Sequence, residues 1–372
     1  MEGPGNSLAP PEAGPAPGRT ALGWGAVVLL LALQYGLFCQ FARREIVWAF
    51  PGNSDQIEYL ASSYETYEEI LDKGVWAGLL HGYRLRNPQG VLLHLEAPLL
   101  FMALGPTRLS ALTLTFLHFA LLQLVLVGVL RWLTRRWSVA LFGLGLLLTA
   151  LAPFFWAGGL MDFRLDFGAV CLFGVLLCLA VRSDVFASRR WSAAVGAAAA
   201  VLVLFRCITA VYLAGIGAAL VPFLAVRLWR KWRDPAARHV ELRRWSGMAV
   251  AAAILCAVAV PVLWDLRGSI QAYYVRGHVT GEETKVRLRM FFEGNNGNYY
   301  TFYVKSLLTD HAGPAFLRLG VLALAVCGVL ALGRLRPAGP ARRPGAGAPG
   351  PARRRRPGPA RRAGGTPGRR GR

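Results

Sequence analysis

Eight strongly apolar stretches of 14–22 residues recur along this chain, at about 21–41, 109–130, 138–158, 167–181, 192–205, 208–228, 247–264 and 314–333. A bilayer core of roughly 30 Å takes about 20 helical residues to cross. Inside hydrocarbon every backbone N–H and C=O must be satisfied internally, so only helices and closed barrels span it. Barrel strands alternate weakly, whereas these stretches are continuously apolar. The pattern predicts an all-α, polytopic helical membrane protein with about eight transmembrane helices. Only 17% of the 372 residues are charged, against 55% hydrophobic, which is the balance of a chain solvated by lipid.

Basic residues in the short loops set the orientation. Arg131, Arg135 and Arg136 follow the second stretch, and Arg182, Arg189 and Arg190 follow the fourth. Seven Lys and Arg residues lie between Arg227 and Arg244, after the sixth. All three clusters fall on one side if the N-terminus is cytoplasmic. The opposite, external side then receives a long loop at 42–108, a tight turn at 159–166, a turn at Arg206 and a second long loop at 265–313. Residues 1–20, rich in Pro, Gly and Ala, read as a disordered leader, and 21–333 as the membrane domain. Within the first loop, GNSDQIEYLASSYETYEEIL reads as an amphipathic helix capped by Asn53 or Ser54. GVLLHLEAPLLFMALG is too short to span comfortably and reads as a helix lying in the interface or packed on the bundle. The six cysteines lie in or beside apolar stretches, with no metal-ligand spacing among them.

Chemistry-bearing residues gather on the external side. Asp55 opens the pattern Asp55-x-x-x-Tyr59, with Tyr59 one helical turn further on the same face. Alone, Asp55 is one of eight acids between 42 and 108 and reads as an ordinary solvated residue. A second acidic group, Asp162, Arg164 and Asp166, sits at the junction of the third and fourth stretches. Charges near the hydrocarbon boundary are costly unless paired or lining an aqueous cavity. These three either pin the hairpin by pairing or hold an acceptor, a metal or a charged head group. The apolar run from Ser192 to Leu228 is too long for one helix and must turn near Arg206. Its first leg of about 14 residues then draws Arg206 below the interface. A guanidinium there suits bidentate contact with phosphate, snorkelling to head groups being the plain alternative. Tyr274, Arg276, Arg287, Arg289 and the run Asn295–Tyr300 in the second loop suit sugar stacking and hydroxyl recognition, or equally an interfacial loop.

This order of motifs resembles the C-type (GT-C) glycosyltransferases that use polyprenyl-phosphate sugars, particularly the branch of protein O-mannosyltransferases and the lipid A aminoarabinose transferase. SDQIEYLA looks like that branch's Asp-Glu-x-x-Tyr-Ala motif, with Gln56 in place of the second acid. HLEAPLL, which holds His94 and Glu96, is similar to its Lys-Pro-Pro-Leu or His-Pro-Pro-Leu element, with one Pro instead of two. FRLDFGAV looks like its Arg-Pro-Asp or Leu-Asp motif, with Leu165 in place of the frequent Pro. The resemblance implies an enzyme of the bacterial inner or plasma membrane. Its partners would be a polyprenyl-phosphate-linked sugar donor and a lipid, glycan or protein acceptor. Carried over residue by residue, Asp55 is the general base, and Asp166, with Asp162 as second choice, positions the acceptor or a divalent cation. Arg206, with Arg164, binds the donor phosphate. Tyr59, His94, Glu96, Tyr274 and Arg276 contact substrate. The competing class is a non-catalytic multi-span protein, a transporter or an envelope-assembly component, which would carry ionisable residues near the centre of several spans.

The formal charge of +22 is concentrated at one end. Residues 334–372 hold 13 Arg and no acid, and their Ala, Gly, Leu, Pro, Arg and Thr cannot bury a core. A polybasic arm for anionic lipid or nucleic acid is one reading. The other is a shift of reading frame in a GC-rich gene, since the composition changes abruptly after a span; no nucleic-acid partner is expected on it. The native protein would then continue past Leu335 with more membrane segments, which translation of the downstream DNA in the other frames should reveal. A downstream region without any hydrophobic open frame would refute this.

Overall fold

The computed structural model describes residues 17–51, 54–154, 158–281 and 313–335, with 284–286, 289 and 308 besides. Two compact units divide the chain, Met1–Ala323 and Leu324–Arg372, the described part of the second being the end of one helix. Among the described residues there is no strand. The helices are α1 (Pro17–Phe41), α2 (Ser54–Lys73), α3 (Val75–Arg84), α4 (Leu93–Leu104), α5 (Arg108–Thr134) and α6 (Trp137–Leu148), then α7 (Leu165–Arg182), α8 (Arg189–Phe205), α9 (Thr209–Arg230), α10 (Pro235–Asp265), the short α11 (Arg267–Ile270) and α12 (Gly313–Leu335). Helix begins at Pro17, inside the expected leader; residues 1–16 and 336–372, and with them most of the leader and the basic tail, lie outside the described residues.

Each of the eight apolar stretches coincides with a helix. Five of them, in α1, α5, α7, α9 and α10, are long and apolar enough to cross a membrane. The stretch at 138–158 keeps its helix only to Leu148 before a turn and a short 3-10 segment at Ala152–Phe154. α6 is therefore 12 residues long and α8 is 17, both short of the roughly 20 needed to cross squarely. Local chemistry sets the ends. The Thr107 hydroxyl accepts from the Ser110 N–H to start α5, and Arg135 stops it in a left-handed conformation. Asp234 accepts from the N–H groups of Ala236 and Ala237, with Pro235 just inside α10, where a missing donor is harmless.

Burial separates inner from outer helices. Half or more of the apolar window is buried in α5 (56%) and α7 (50%), against 11% in α1 and α9 and 17% in α10. Leu29, Leu33, Val211, Phe223 and Val260 instead point outward. In water such faces would be strongly unfavourable; in a bilayer they are solvated. The main core joins α5 and α7 to α4 and α8 through Phe101, Phe119, Phe167, Leu172 and Phe205. A smaller cluster of Val27, Val127, Ala140 and Leu144 fixes α1 and α6 to α5, with Trp24 edge-on to Trp137 at 5.6 Å. α8 lies closely on α10, where a Cβ on Gly196 would come within 2.5 Å of the Ala251 carbonyl oxygen.

The first long loop is itself folded. α2 and α3 form a hairpin closed by Gly78 against Ile70 and Gly82 against Thr66, and α4 packs back onto α2 and α5. HLEAPLL thus lies within a helix in contact with α2 and α5. The segment between α3 and α4 runs against the α8–α9 junction. Val91 N–H donates to the Leu204 carbonyl at 2.9 Å, and Cys207 N–H donates to the Gln89 carbonyl at 2.7 Å. Gly90 is required there, because a Cβ would stand 1.9 Å from the Phe205 carbonyl oxygen. Tyr83 and Arg86 also reach Asp265, at 2.9 and 3.5 Å, linking the first loop to the end of α10. Gly90→Ala should lower stability by about 1–3 kcal/mol through overpacking. Gly217→Ala, in the interior of α9 where nothing lies within 4 Å, should not lower it and should raise it by up to about 1 kcal/mol. Thermal unfolding of the purified variants in detergent checks both, and equal melting temperatures would contradict the docked segment.

Candidate functional site

Four chain segments bring their polar residues to one end of the bundle. Asp55 lies in the first turn of α2 and Asp166 in the first turn of α7, where the helix dipole favours a carboxylate. Arg164 is the residue before α7, in extended conformation, and Arg206 is the residue after α8, also extended. The break in the 192–228 run thus falls where the sequence placed it. Asn53, one of the two expected caps, lies outside the described residues; Ser54 begins the helix.

Asp162 is the organiser of this end. It is 4% exposed, and its Oδ2 accepts from the Gly158 N–H and from Arg164 Nε, both at 2.6 Å. Its Oδ1 accepts from Gln56 Nε2 at 3.0 Å, and Gln56 Oε1 accepts in turn from Arg108 Nη2 at 2.8 Å. The other arm of Arg108 donates to the Ile46 carbonyl at 2.7 Å and to that of Ala49. Burial pushes the Asp162 carboxyl above the usual carboxylate range, against the opposing pull of Gly158 and Arg164. A carboxylate so completely bonded serves to hold the turn and aim Arg164. The hairpin-pinning alternative therefore describes Asp162 well.

Asp55 and Asp166 are different, each more than 40% exposed. Arg164 Nη1 stands 3.9 Å from Asp55 Oδ2, so one guanidinium bridges the buried acid and the exposed one. Arg206 Nη2 pairs with Asp166 Oδ1 at 2.8 Å and is itself one quarter exposed. Two acid–arginine pairs thus stand side by side, each presenting a carboxylate to solvent.

Tyr59 is 1% exposed and donates its phenol proton to Gln89 Oε1 at 2.5 Å. Burial first, then the Asp55 charge, raises its pKa, so it remains a protonated donor. It ties α2 to the segment docked on the Arg206 turn and is not presented to a ligand. Tyr274, in the π-type turn Gln271–Gly277, is half-buried beside Arg206, with its pKa pushed up to about 12 by burial. Arg276 is exposed on the same turn. Arg287 and Asn295–Tyr300 lie outside the described residues, as do most of the second loop's other positions after Gly281.

His94 and Glu96 sit on α4, behind this array. His94 is fully buried and neither ring nitrogen has a hydrogen-bond partner, so it is packing and not a surface contact. Glu96 Oε2 lies 3.2 Å from Nε2 of His118 on α5, and the His118 ring meets Phe205 edge-on at 4.9 Å. His118, Gln89 and Arg108 escaped the sequence reading. Arg108 and the turn sequence Asn87-Pro88-Gln89-Gly90 offered signals; His118, one polar residue in an apolar helix, offered none. Among the described residues no group of three or more His, Cys, Asp or Glu side chains is placed to hold a metal ion.

Two apolar cavities flank the array. One of about 370 Å³ is lined by Cys207, Ile208, Val211, Leu263, Tyr274 and Val275, directly beside Arg206. The other, about 490 Å³, lies between α1 and α5 and reaches Leu160 and Met161, next to Asp162. No protein-family model, curated protein or solved structure matches this chain.

Burial without a partner holds the His94 pKa down at about 4, below its unfolded value near 6.5. Between those values the unfolded chain binds the extra proton, so stability falls as pH drops from about 6.5 to 4 and is fully present above. The loss at pH 4 should be about 3 kcal/mol. Melting temperatures of the wild type and His94→Leu, compared at pH 7 and pH 4.5, should show a smaller acid loss in the variant. Equal losses would contradict the assignment.

Proposed function

We propose that this chain is a membrane glycosyltransferase that moves a sugar from a polyprenyl-phosphate donor to an acceptor hydroxyl at the face carrying Asp55. The observation that carries the reading is the convergence of two exposed carboxylates, Asp55 and Asp166, with Arg164 and Arg206 beside an apolar cavity. An apolar cavity next to a guanidinium suits a ligand with a long isoprenoid tail and a phosphate head. In this reading the phosphate lies against Arg206, whose Nη2 meets Asp166 and whose guanidinium carries further N–H donors.

Asp55 accepts the proton of the acceptor hydroxyl as its oxygen attacks the anomeric carbon. The bond from that carbon to the phosphate oxygen breaks with inversion, and the polyprenyl phosphate departs with the electron pair. Arg206 neutralises the negative charge that builds on it. Arg164 holds Asp55 in place, while Asp166 orients Arg206 and the acceptor. Tyr274 and Arg276 border the sugar. The acceptor is a lipid, glycan or protein hydroxyl, and a divalent cation, if used, would rely on Asp166 and Asp55. The protein lies in the plasma membrane with its N-terminus cytoplasmic and about eight spans, the short α6 and α8 included.

His118 favours a second reading. It lies ten residues into α5, about 15 Å from its start, paired with Glu96. An ionisable pair at that depth is what a transporter uses as a relay. Transfer of label from a panel of polyprenyl-phosphate sugars, in membranes containing the protein, separates the two readings. Asp55→Asn should lower transfer by about 10²–10⁴-fold with insertion unchanged. A fully active variant would remove Asp55 from the chemistry, and no transfer from any donor would favour the transporter.

A further inference from the structure

At the end of the bundle away from Arg206, a cavity of about 540 Å³ is lined by Arg189, His239, Leu242, Arg243 and Ser246. Arg189 is the first residue of α8, and Arg206 follows its last; 17 helical residues separate the two ends by about 25 Å. His239, Leu242, Arg243 and Ser246 are spaced by three, four and seven residues, which puts them on one face of α10. Arg189 Nη2 donates to Ser246 Oγ at 3.3 Å, closing the cavity between the two helices.

The acids at this end are already engaged. Glu241, 1% exposed, pairs with Arg227 at 2.9 Å, Lys231 at 3.2 Å and Arg244 at 3.7 Å. Asp184 takes Arg244 at 2.9 Å, and Asp234 caps α10. Arg189, His239 and Arg243 remain exposed, and no carboxylate among the described residues lies within ion-pair distance of them. Their surroundings are those of a head-group layer: Arg182 stacks on Trp132 at 4.0 Å and Trp191 at 4.6 Å, and Arg238 on Trp232 at 5.3 Å. Two guanidinium forks, an imidazole and a hydroxyl around one open space match the oxygens of a phosphate, and Leu242 offers an apolar wall beside it.

We propose that the cavity of Arg189, His239, Arg243 and Ser246 binds a phosphate group, carried by an anionic lipid head group or free in solution. Basic cavities between membrane helices are suited to such head groups. The site is independent of the transfer chemistry and stands whether or not that reading holds.

The full chain in phosphatidylcholine nanodiscs provides the test. Its melting temperature is measured with and without phosphatidylglycerol, and separately with inorganic phosphate. Wild type should be stabilised by at least one of the two: lipid alone assigns the head group, and phosphate assigns the free anion. The Arg189→Gln/Arg243→Gln pair should weaken the response about tenfold or more. Arg190→Gln, an exposed neighbour outside the cavity, should leave it intact. Arg243→Lys keeps the charge without the fork and should give an intermediate response, which also serves if the double variant does not insert. No stabilisation by either probe, or an equal response in the Gln pair, would overturn the proposal. So would an equal loss in Arg190→Gln, which would mark diffuse surface charge.

Discussion

The short extended pairing of Gln89–Val91 with the α8–α9 junction is the constraint on which the rest of this architecture depends. A helix that stops inside an apolar run leaves carbonyls without partners, and in hydrocarbon each such group costs several kcal/mol. Val91 N–H satisfies the Leu204 carbonyl, and the Gln89 carbonyl receives Cys207 N–H. The Leu204 carbonyl and the Cys207 N–H therefore keep partners where the helix stops at Arg206. The same segment carries the Gln89 side chain to Tyr59, so α2, and Asp55 on it, is held against the turn that presents Arg206. A second bracing runs from Arg108 through Gln56 to Asp162 and Arg164. Together they assemble two acid–arginine pairs from segments more than 150 residues apart in sequence.

Much of this was legible in the sequence because the bilayer imposes a length rule. Five apolar runs became helices of spanning length, and the break at Arg206 followed from a run too long for one helix and too short for two comfortable ones. In the run at 138–158 the α-helix ends at Leu148 with Thr149 as its cap, an end that apolarity alone does not mark. The grouping of Asp55, Asp162, Asp166 and Arg206 was readable from sidedness. Their division of labour was not: one-dimensional order cannot tell that Asp162 is sealed by Gln56, Gly158 and Arg164 while the Asp55 side chain is 46% exposed. Gln56, which departs from the resembled motif as a missing acid, turns out to be a hinge of the network. A second carboxylate at that position would face Asp162 across 3 Å and repel it, where the amide donates to one side and accepts on the other.

The two ends of the bundle differ in how their charges are spent. Near Arg206 the guanidinium groups of Arg206 and Arg164 each meet carboxylates, so their charges are largely offset. At the Arg189 end the acids are taken by Arg227, Lys231 and Arg244, and the remaining cations surround open space. Between them the bundle is mostly apolar, with paired groups such as Gln34 with Gln123 and Glu96 with His118, and the buried, unpartnered His94.

The docking of the first loop on the Arg206 turn can be measured directly. With Gln89 replaced by Cys and the other native cysteines removed, Cys207 remains as its sole partner. Oxidation, or a short bis-maleimide, applied to the protein in membranes should then yield an intramolecular cross-link joining the 89 and 207 peptides by mass spectrometry. A folded, inserted protein in which the two cysteines stay separate would contradict the account.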